Sequence, residues 1–518
     1  MLRLISVVIT VMLLVLPVYS QHQNIMIGDA INSYEPNEPS IVISPFNTND
    51  ILVGANIDNY YYSTDSGYSW QHGVLTSSHT VNCDPCVLID NQSRYYFVHL
   101  ANNIDKVICQ RSDKLGGTWN DGSFTRLDAT KDNDKEWAVY DRENNTIYLT
   151  WSQFDNHGST DSKDSTFILF TKSTDYGNTW ETPKRISDKK GDATGGNGSM
   201  HAPMPEVGPD GEVYVVWWSP QGLMFDKSTD RGNAWLARDK NLSSRRVNWL
   251  VSVPGIQIMP GFAIIKCDKS GGKYNGNIYI TWCDQTSGSN DTNVWLIKST
   301  DDGETWSDKK RVNDDPAGRH QFFVWMDVDQ VTGNTYFVFY DRRNYTDTNT
   351  DVYMAMSTDG CENFTNFKIS ESPFIPNSNT FFGHYNSISA YTNVVRPAWT
   401  RLDNTHLSLM TAIVDPSIIS GIREIQTEGT LSSFEIESVF PNPFNPSTVI
   451  RYEVDTACEL SLTIYDTLGD KLAVVLKQYH NPGTYEFSYS PVNIPSGVYL
   501  LVMDNGIKTS TSKIILLK

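Results

Sequence analysis

The feature that most limits what this chain can fold into is an eight-residue phrase that keeps returning: Ser, any residue, Asp, any residue, Gly, any residue, a small residue, Trp. It reads Ser63-Thr64-Asp65-Ser66-Gly67-Tyr68-Ser69-Trp70 and Ser173-Thr174-Asp175-Tyr176-Gly177-Asn178-Thr179-Trp180. It recurs from Ser228 to Trp235, with Asp230 and with Ala234 in the small position, and from Ser299 to Trp306, with Asp301. Two worn copies run from Ser112 to Trp119, where the acid has moved to Asp113, and from Ser357 to Phe364, where Asp359 is kept and Cys361 replaces the glycine. Spacings of about 50 to 70 residues suit one copy per four-stranded propeller blade. The residue types suit a hairpin turn: Asp accepts hydrogen bonds from backbone N–H groups, Gly takes a positive φ, Ser closes the loop and Trp folds back between sheets. The phrase is structural and carries no chemistry of its own.

Apolar alternation between the copies predicts innermost strands at 39–44, 86–90, 137–141, 204–207, 261–267, 322–327 and 385–390. Seven such strands against six phrases predict an all-β, seven-bladed propeller, with six blades as the alternative. In this reading the last blade takes three strands from 385–414 and its fourth from Asn24–Asp29, at the other end of the chain. Joining the two ends removes the exposed sheet edges.

The first 20 residues read as a secretory signal: Arg3, an apolar run, then Val18-Tyr19-Ser20 as a small-residue cleavage site. The formal charge is −19, and −20 without Arg3. Such acidity argues against nucleic acid and anionic membranes as partners, and no later stretch is apolar enough for a membrane-spanning helix. The chain has seven cysteines. Cys83-Asp84-Pro85-Cys86 is the one close pair: it suits a small disulfide loop in an oxidising compartment, and a redox pair would need a βαβ context that is missing.

These signals divide the chain into a signal peptide (1–20), a propeller (21–414), a weakly patterned linker (415–433) and a C-terminal unit (434–518). The last opens on Pro441-Asn442-Pro443-Phe444-Asn445-Pro446-Ser447-Thr448 and carries turn dipeptides at Gly469-Asp470, Pro482-Gly483 and Asn505-Gly506. Short strands between them predict a small β-sandwich.

Two resemblances attach to these segments. The repeated phrase is similar to the Asp-box, or bacterial neuraminidase repeat, so residues 21–414 resemble a sialidase-superfamily propeller. The Leu462-Thr463-Ile464-Tyr465-Asp466 strand, Gly497-Val498-Tyr499, the proline-rich opening and the Lys513–Lys518 tail resemble the type A sorting domain of the type IX secretion system. That second resemblance implies a secreted or surface-attached bacterial protein that engages the type IX secretion machinery through its C-terminal domain. The first implies a fold more than a chemistry. Sialidases place an arginine before the first Asp-box, whereas here the mature chain has none before Arg94 and the matching stretch reads Asn37-Glu38-Pro39-Ser40.

Candidate site residues fall on the loops entering the innermost strands and leaving the second strands. Asp84, Glu136 and Tyr385 are candidate catalytic groups, Tyr385 standing where the resemblance places a tyrosine nucleophile. Arg319, His320, Asp341, Arg342, Arg343 and Arg401 are candidate substrate-binding groups, arginines being suited to bidentate carboxylate recognition. Glu38, Asp134, His201 and His384 share the same rim, and Asp341 to Arg343 have a second reading as ties between blades. His79, His157, His201, His320 and His384 lack close metal-ligand spacing, so no cofactor is expected. Asp128, Asp132, Asp134 and Glu136 form an acidic loop that suits Ca²⁺ without the usual ligand order. Two functions remain open: binding of an extracellular glycan or glycoprotein, with Trp151, Trp217 and Trp218 as a platform, or glycoside cleavage by the rim carboxylates.

Overall fold

The structure is a computed structural model that describes residues 22–29, 36–125, 130–243, 248–416, 422–425, 433–445, 447–480, 482–489, 491 and 494–517. The signal segment and Asp128 lie outside these residues. Between residues 24 and 412 seven four-stranded antiparallel sheets follow one another, with one extra short strand, Gly191–Asp192, on the third and a separate two-stranded pair, Leu250–Val251 with Met259–Pro260. Their first strands are Ser40–Ile43, Cys86–Ile89, Asp132–Asp141, His201–Val207, Ile264–Cys267, Gln321–Val328 and Ser387–Tyr391. These pack against one another in a cycle that returns from the last to the first, which makes the domain a β-propeller.

The last sheet is completed by the start of the chain. Asn24–Asp29 runs antiparallel to His406–Ala412, with Asn24 opposite Ala412 and Asp29 opposite Ser408. Ile27 anchors it, 4% exposed and packed with Ile41, Val53, Tyr61 and Leu409.

The copies of the repeated phrase, boxes for short, are hairpin turns held by a repeated set of hydrogen bonds. In the first, the Ser63 hydroxyl donates to Asp65 Oδ1 at 2.7 Å and accepts from the Gly67 N–H at 2.8 Å. The Ser69 N–H then donates to Asp65 Oδ1 at 2.9 Å. The same three bonds recur around Asp175, Asp230, Asp301 and Asp359. The glycine is needed twice over. At Gly232 φ is 78°, and a Cβ there would meet the Phe170 ring at 2.4 Å. The worn copy keeps the turn by shifting its glycine: Gly360 and Cys361 have φ of 70° and 64°.

Each box also receives a cation from the sheet before it. Lys172, Lys227 and Lys298, each directly before a box serine, donate from Nζ to the carbonyls of Arg231 (2.9 Å), Asp302 (2.7 Å) and Gly360 (2.9 Å) in the next box. Arg111 reaches the Tyr176 carbonyl in the same way, and Arg396 of the last sheet reaches that of Ser66 at 2.6 Å.

The C-terminal unit is a sandwich of two four-stranded sheets around Ile450, Tyr452, Leu462, Phe487, Leu501 and Met503. Two strands were not expected, Glu435–Phe440, which pairs with Thr448–Val454, and one that precedes the unit. Ile422–Ile425 lies in the presumed linker yet pairs with Gly483–Tyr489, so that stretch contributes an edge strand to the sandwich.

Ring closure predicts a contrast on one strand. Ile27→Ala should cost about 2–4 kcal/mol in denaturant unfolding, whereas the exposed neighbour substitution Met26→Ala should cost under about 0.5 kcal/mol. A second expectation concerns Asp226, fully buried with Oδ2 unpartnered. Burial, then Asp239 and Asp188, push its carboxyl up to about 7. The unfolded chain ionises at ordinary aspartate pH while the folded one holds the proton, so this group removes stability as pH rises from about 4 to 7. Asp226→Asn should therefore match the parent near pH 4 and exceed it by about 4 kcal/mol above pH 7, read from pH-dependent melting.

Candidate functional site

Seven first strands bring seven equivalent positions to the propeller axis. Two residues before regular pairing begins in each stand Glu38, Asp84, Lys135, Ala202, Phe262, Phe323 and Tyr385. Five have left-handed backbone: φ is 52° at Glu38, 64° at Asp84, 50° at Lys135, 52° at Ala202 and 53° at Phe323. In three strands this is a β-bulge, between Asp134 and Trp137, His201 and Met204, and Phe322 and Trp325. Such backbone costs of order 1–3 kcal/mol per residue and re-aims the side chain at the rim, a device concentrated at functional sites.

The ring is charged on one side and apolar on the other. Lys135 Nζ contacts the Asp84 carboxylate directly and lies 3.7 Å from Glu38 Oε1. Glu38 is further held by Asn56 Nδ2 at 2.8 Å, and His384 Nδ1 approaches it to 2.7 Å. The Asp84 backbone N–H donates to Asn56 Oδ1 at 3.0 Å, so one asparagine ties two sheets. Lys135 also sits 5.6 Å from the Tyr385 ring centroid and 5.8 Å from that of Phe262, within cation–π range.

These groups line a cavity of about 390 Å³, together with Cys83, Asp134, His157, His201, Trp249 and Phe381, a size that suits a small ligand. Beneath it, Trp137, Trp325 and Tyr385 close the axis with ring centroids 4.8, 5.6 and 5.8 Å apart. Asp84 faces the open cavity and also a void of about 20 Å³ under it, which Glu136 and Tyr385 line.

Environment separates the carboxyl groups. Burial opposes ionisation of Glu38, but Lys135 and His384 outweigh it and hold the carboxyl below its usual range. Asp84 goes the other way: burial, then the charges of Glu38 and Asp134, push it well up despite Lys135. Burial likewise raises Glu136, whose two oxygens have no hydrogen-bond partner, and Tyr385, whose hydroxyl has none. Asp134 is held low against its burial chiefly by His201 and Lys135, while burial lowers His201 to about 4.

Of the expected catalytic set, Asp84 is the member that reaches the open cavity. Glu136 and Tyr385 converge with it but line only the small void beneath, while Asp84 itself is 2% exposed. The expected arginine grip does not assemble there. Arg343 is taken up by Asp341 at 2.8 Å and by Asp314, and Arg342 by Thr350 and the Pro254 carbonyl. Arg401 pairs with Asp403 at 2.7 Å, Arg319 turns to the Gly318 carbonyl, and His320 bonds Thr292. No arginine is among the residues lining either space. Trp151, Trp217 and Trp218 are at most 1% exposed and form core, because their strands are covered on both faces. Asp132 accepts the His157 backbone N–H, and no group of three or more His, Cys, Asp or Glu side chains that could hold a metal ion stands among the described residues. Cys83 and Cys86 are both free thiols. Lys135 escaped the sequence reading; aligning the residues two places before each innermost strand would have shown it between Asp84 and Ala202.

Residues 438–517 match the secretion system C-terminal sorting domain. That domain marks the chain for export by type IX secretion to the cell surface or the extracellular space. No helix among the described residues is long and apolar enough to cross a membrane. No curated protein sequence matches the chain. Among solved structures, NanB sialidase from Streptococcus pneumoniae is similar at 9% identity over 70% of this chain and 83% of its own, with a TM-score of 0.41. Trypanosoma rangeli sialidase shares 11% identity over 87% of this chain and 86% of its own, TM-score 0.40. Penicillium chrysogenum alpha-L-arabinanase shares 13% identity over 62% and 94%, TM-score 0.39. These likenesses are distant; strand order and ring packing carry the description of the fold.

Lys135 is the cation on which two buried carboxyls depend, its own side chain 10% exposed. Lys135→Met should cost about 3–5 kcal/mol at neutral pH, because it strands the buried, ionised Glu38 carboxylate. Glu38 ionises more readily folded than unfolded, so its contribution is present above ordinary glutamate pH and lost as pH falls. The gap between parent and variant should therefore narrow on acidification, as measured by urea unfolding at a series of pH values.

Proposed function

We propose that the propeller is an extracellular glycoside-cleaving domain whose acid–base pair is Asp84 and Glu38. The observation that carries this reading is the convergence of Glu38, Asp84 and Lys135, on left-handed backbone, in one small cavity. A glycoside hydrolase needs one carboxyl that keeps its proton to protonate the leaving oxygen and one that is ionised to activate water or attack carbon. Opposite shifts of neighbouring carboxyls are how such roles are divided. Here Asp84 is raised and Glu38 lowered, the two carboxyls lying next to each other and both against Lys135. Burial of the expected tryptophan platform weighs against the broad binding surface. The absence of arginine from the lining weighs against a sialyl substrate, whose carboxylate would find no guanidinium fork.

The test is a panel of aryl glycosides of hexoses, pentoses and uronic acids, with a sialoside, offered to the secreted protein. Turnover of at least one non-sialyl glycoside is expected. Asp84→Asn should lower kcat by about 10²–10⁴-fold, and Arg401→Ala should leave it unchanged. Sialoside hydrolysis, or full activity in Asp84→Asn, would overturn the assignment. Saturable sugar binding without turnover would return the domain to the binding reading.

A further inference from the structure

Two cavities share one face of the propeller, and the same two loops wall both. The inner one, about 390 Å³, holds Glu38, Asp84 and Lys135. The outer one, about 530 Å³, includes Asn349 and Asn404, which stand on loops leaving second strands. The hairpin of Leu250–Val251 and Met259–Pro260 gives Ile258 to the inner space and Gly255 to the outer. The segment between Thr365–Lys368 and Ser387–Tyr391 gives Phe381 to the inner space and Ile375 and Asn377 to the outer. Each volume suits a small ligand.

The wall between them is firmly held. At its crest Gly255 has φ of 78°, and a Cβ there would stand 2.8 Å from the Pro376 carbonyl oxygen, so glycine is what lets the two loops meet. Arg342 Nη1 donates to the Pro254 carbonyl at 2.8 Å, and Gln285 Nε2 to that of Ser252 at 2.7 Å. Asn197 exchanges bonds with Leu250 at 2.9 and 3.2 Å, and Val253 and Ile256 are buried beneath. The second loop is pinned where Phe374 and Thr350 exchange backbone bonds at 2.8 and 3.0 Å. On this fixed ground three apolar side chains stay in solvent: Ile258, Ile375 and Phe381 are 43%, 54% and 40% exposed. Single exposed apolar residues are ordinary, but three along one wall between two cavities mark a contact surface.

We propose that the two cavities form one site for a neutral oligosaccharide, with one end of the chain in the inner cavity and the following sugars laid over the wall into the outer one. The reading of the inner end as the end that is cleaved rests on the acid–base assignment. A sugar ring offers an apolar C–H face and a belt of hydroxyls. Ile258, Phe381 and Ile375 supply surfaces for the faces, and Asn349, Asn377 and Asn404 supply uncharged donors and acceptors for the belt. Asp403, the one charged group among the described residues lining the outer cavity, is already paired with Arg401 at 2.7 Å, which favours an uncharged chain. Contacts with sugars remote from the cut are where an enzyme gains binding energy to use at the reacting bond.

The experiment is calorimetric binding of neutral gluco-, xylo-, manno- and arabino-oligosaccharides, from monomer to hexamer, to the secreted protein carrying Asp84→Asn. In at least one series affinity should rise about tenfold or more from monomer to tetramer and then level off. In that background Phe381→Ala should weaken the tetramer about threefold or more, and Phe381→Trp should not. Ile375→Ala and Asn404→Ala should flatten the rise while leaving the monomer unchanged, a split that a merely structural role would not produce. Val331→Ala, an equally exposed apolar position on a loop leaving a first strand, should change nothing. The substituted side chains are on the surface, and melting curves confirm that each variant folds. No binding in any series, affinity independent of chain length, or an unchanged tetramer in Ile375→Ala combined with Phe381→Ala would overturn the proposal. Turnover is not the readout, so that failure would leave the acid–base reading standing, and loss of the acid–base reading would leave length-dependent binding in place.

Discussion

The structure depends on one repeated contact: a cation at the end of one sheet seated on the turn of the next. A β-meander alone buries one face at best, so a ring of meanders needs something that fixes each sheet against its neighbour. Lys172, Lys227 and Lys298 supply it by donating to carbonyls of the following box, and Arg111 and Arg396 repeat the move. The box presents those carbonyls because Asp and Ser have already satisfied its N–H groups. The aromatic at the end of the box adds apolar contact, with Trp235 on Phe170 at 4.9 Å and Trp306 on Phe225 at 5.2 Å. Polar ties set the register between sheets and aromatic burial supplies most of the energy.

The axis inverts this economy. There the strands begin with left-handed residues and bulges, and three adjacent positions carry buried charge. Neither feature helps the ring to form. Ala202 and Phe323 share the backbone conformation of Glu38, Asp84 and Lys135 without their charge, which shows that the bulge belongs to the scaffold and the chemistry to whatever side chain is placed on it. A fixed frame with interchangeable occupants is how one propeller plan can serve many sites.

Much of this was legible beforehand. The period of the repeated phrase, the alternating strands and the pairing of the N-terminal strand with the last sheet follow from local chemistry that each short segment carries by itself. Asp84, Glu136 and Tyr385 could be drawn to one place because strand starts in a propeller all face the axis. Which of them borders the larger cavity could not, since that depends on how far three aromatic rings fill the channel. The arginines were misplaced for a related reason. Asp341 and Arg343 lie two residues apart in a covered turn, and a buried guanidinium takes the nearest carboxylate before any ligand. Trp217 and Trp218 looked available because a doubled tryptophan at a strand end resembles a surface platform, yet both faces of that strand are covered.

The closing strand has a consequence for the order in which the protein is made. Asn24–Asp29 is made before the rest of the propeller, yet its partner strand His406–Ala412 is the last piece of the propeller to follow. Until then the leading residues have no seat. The entropy of joining such distant segments grows only slowly with the length between them, so the delay is a matter of time rather than of final stability. A chain whose two ends have both emerged but have not yet met presents two unpaired strands, Asn24–Asp29 and His406–Ala412, and these are mutually complementary. Neighbouring copies in that state could satisfy each other's edges, turning a seal meant for one molecule into a link between two.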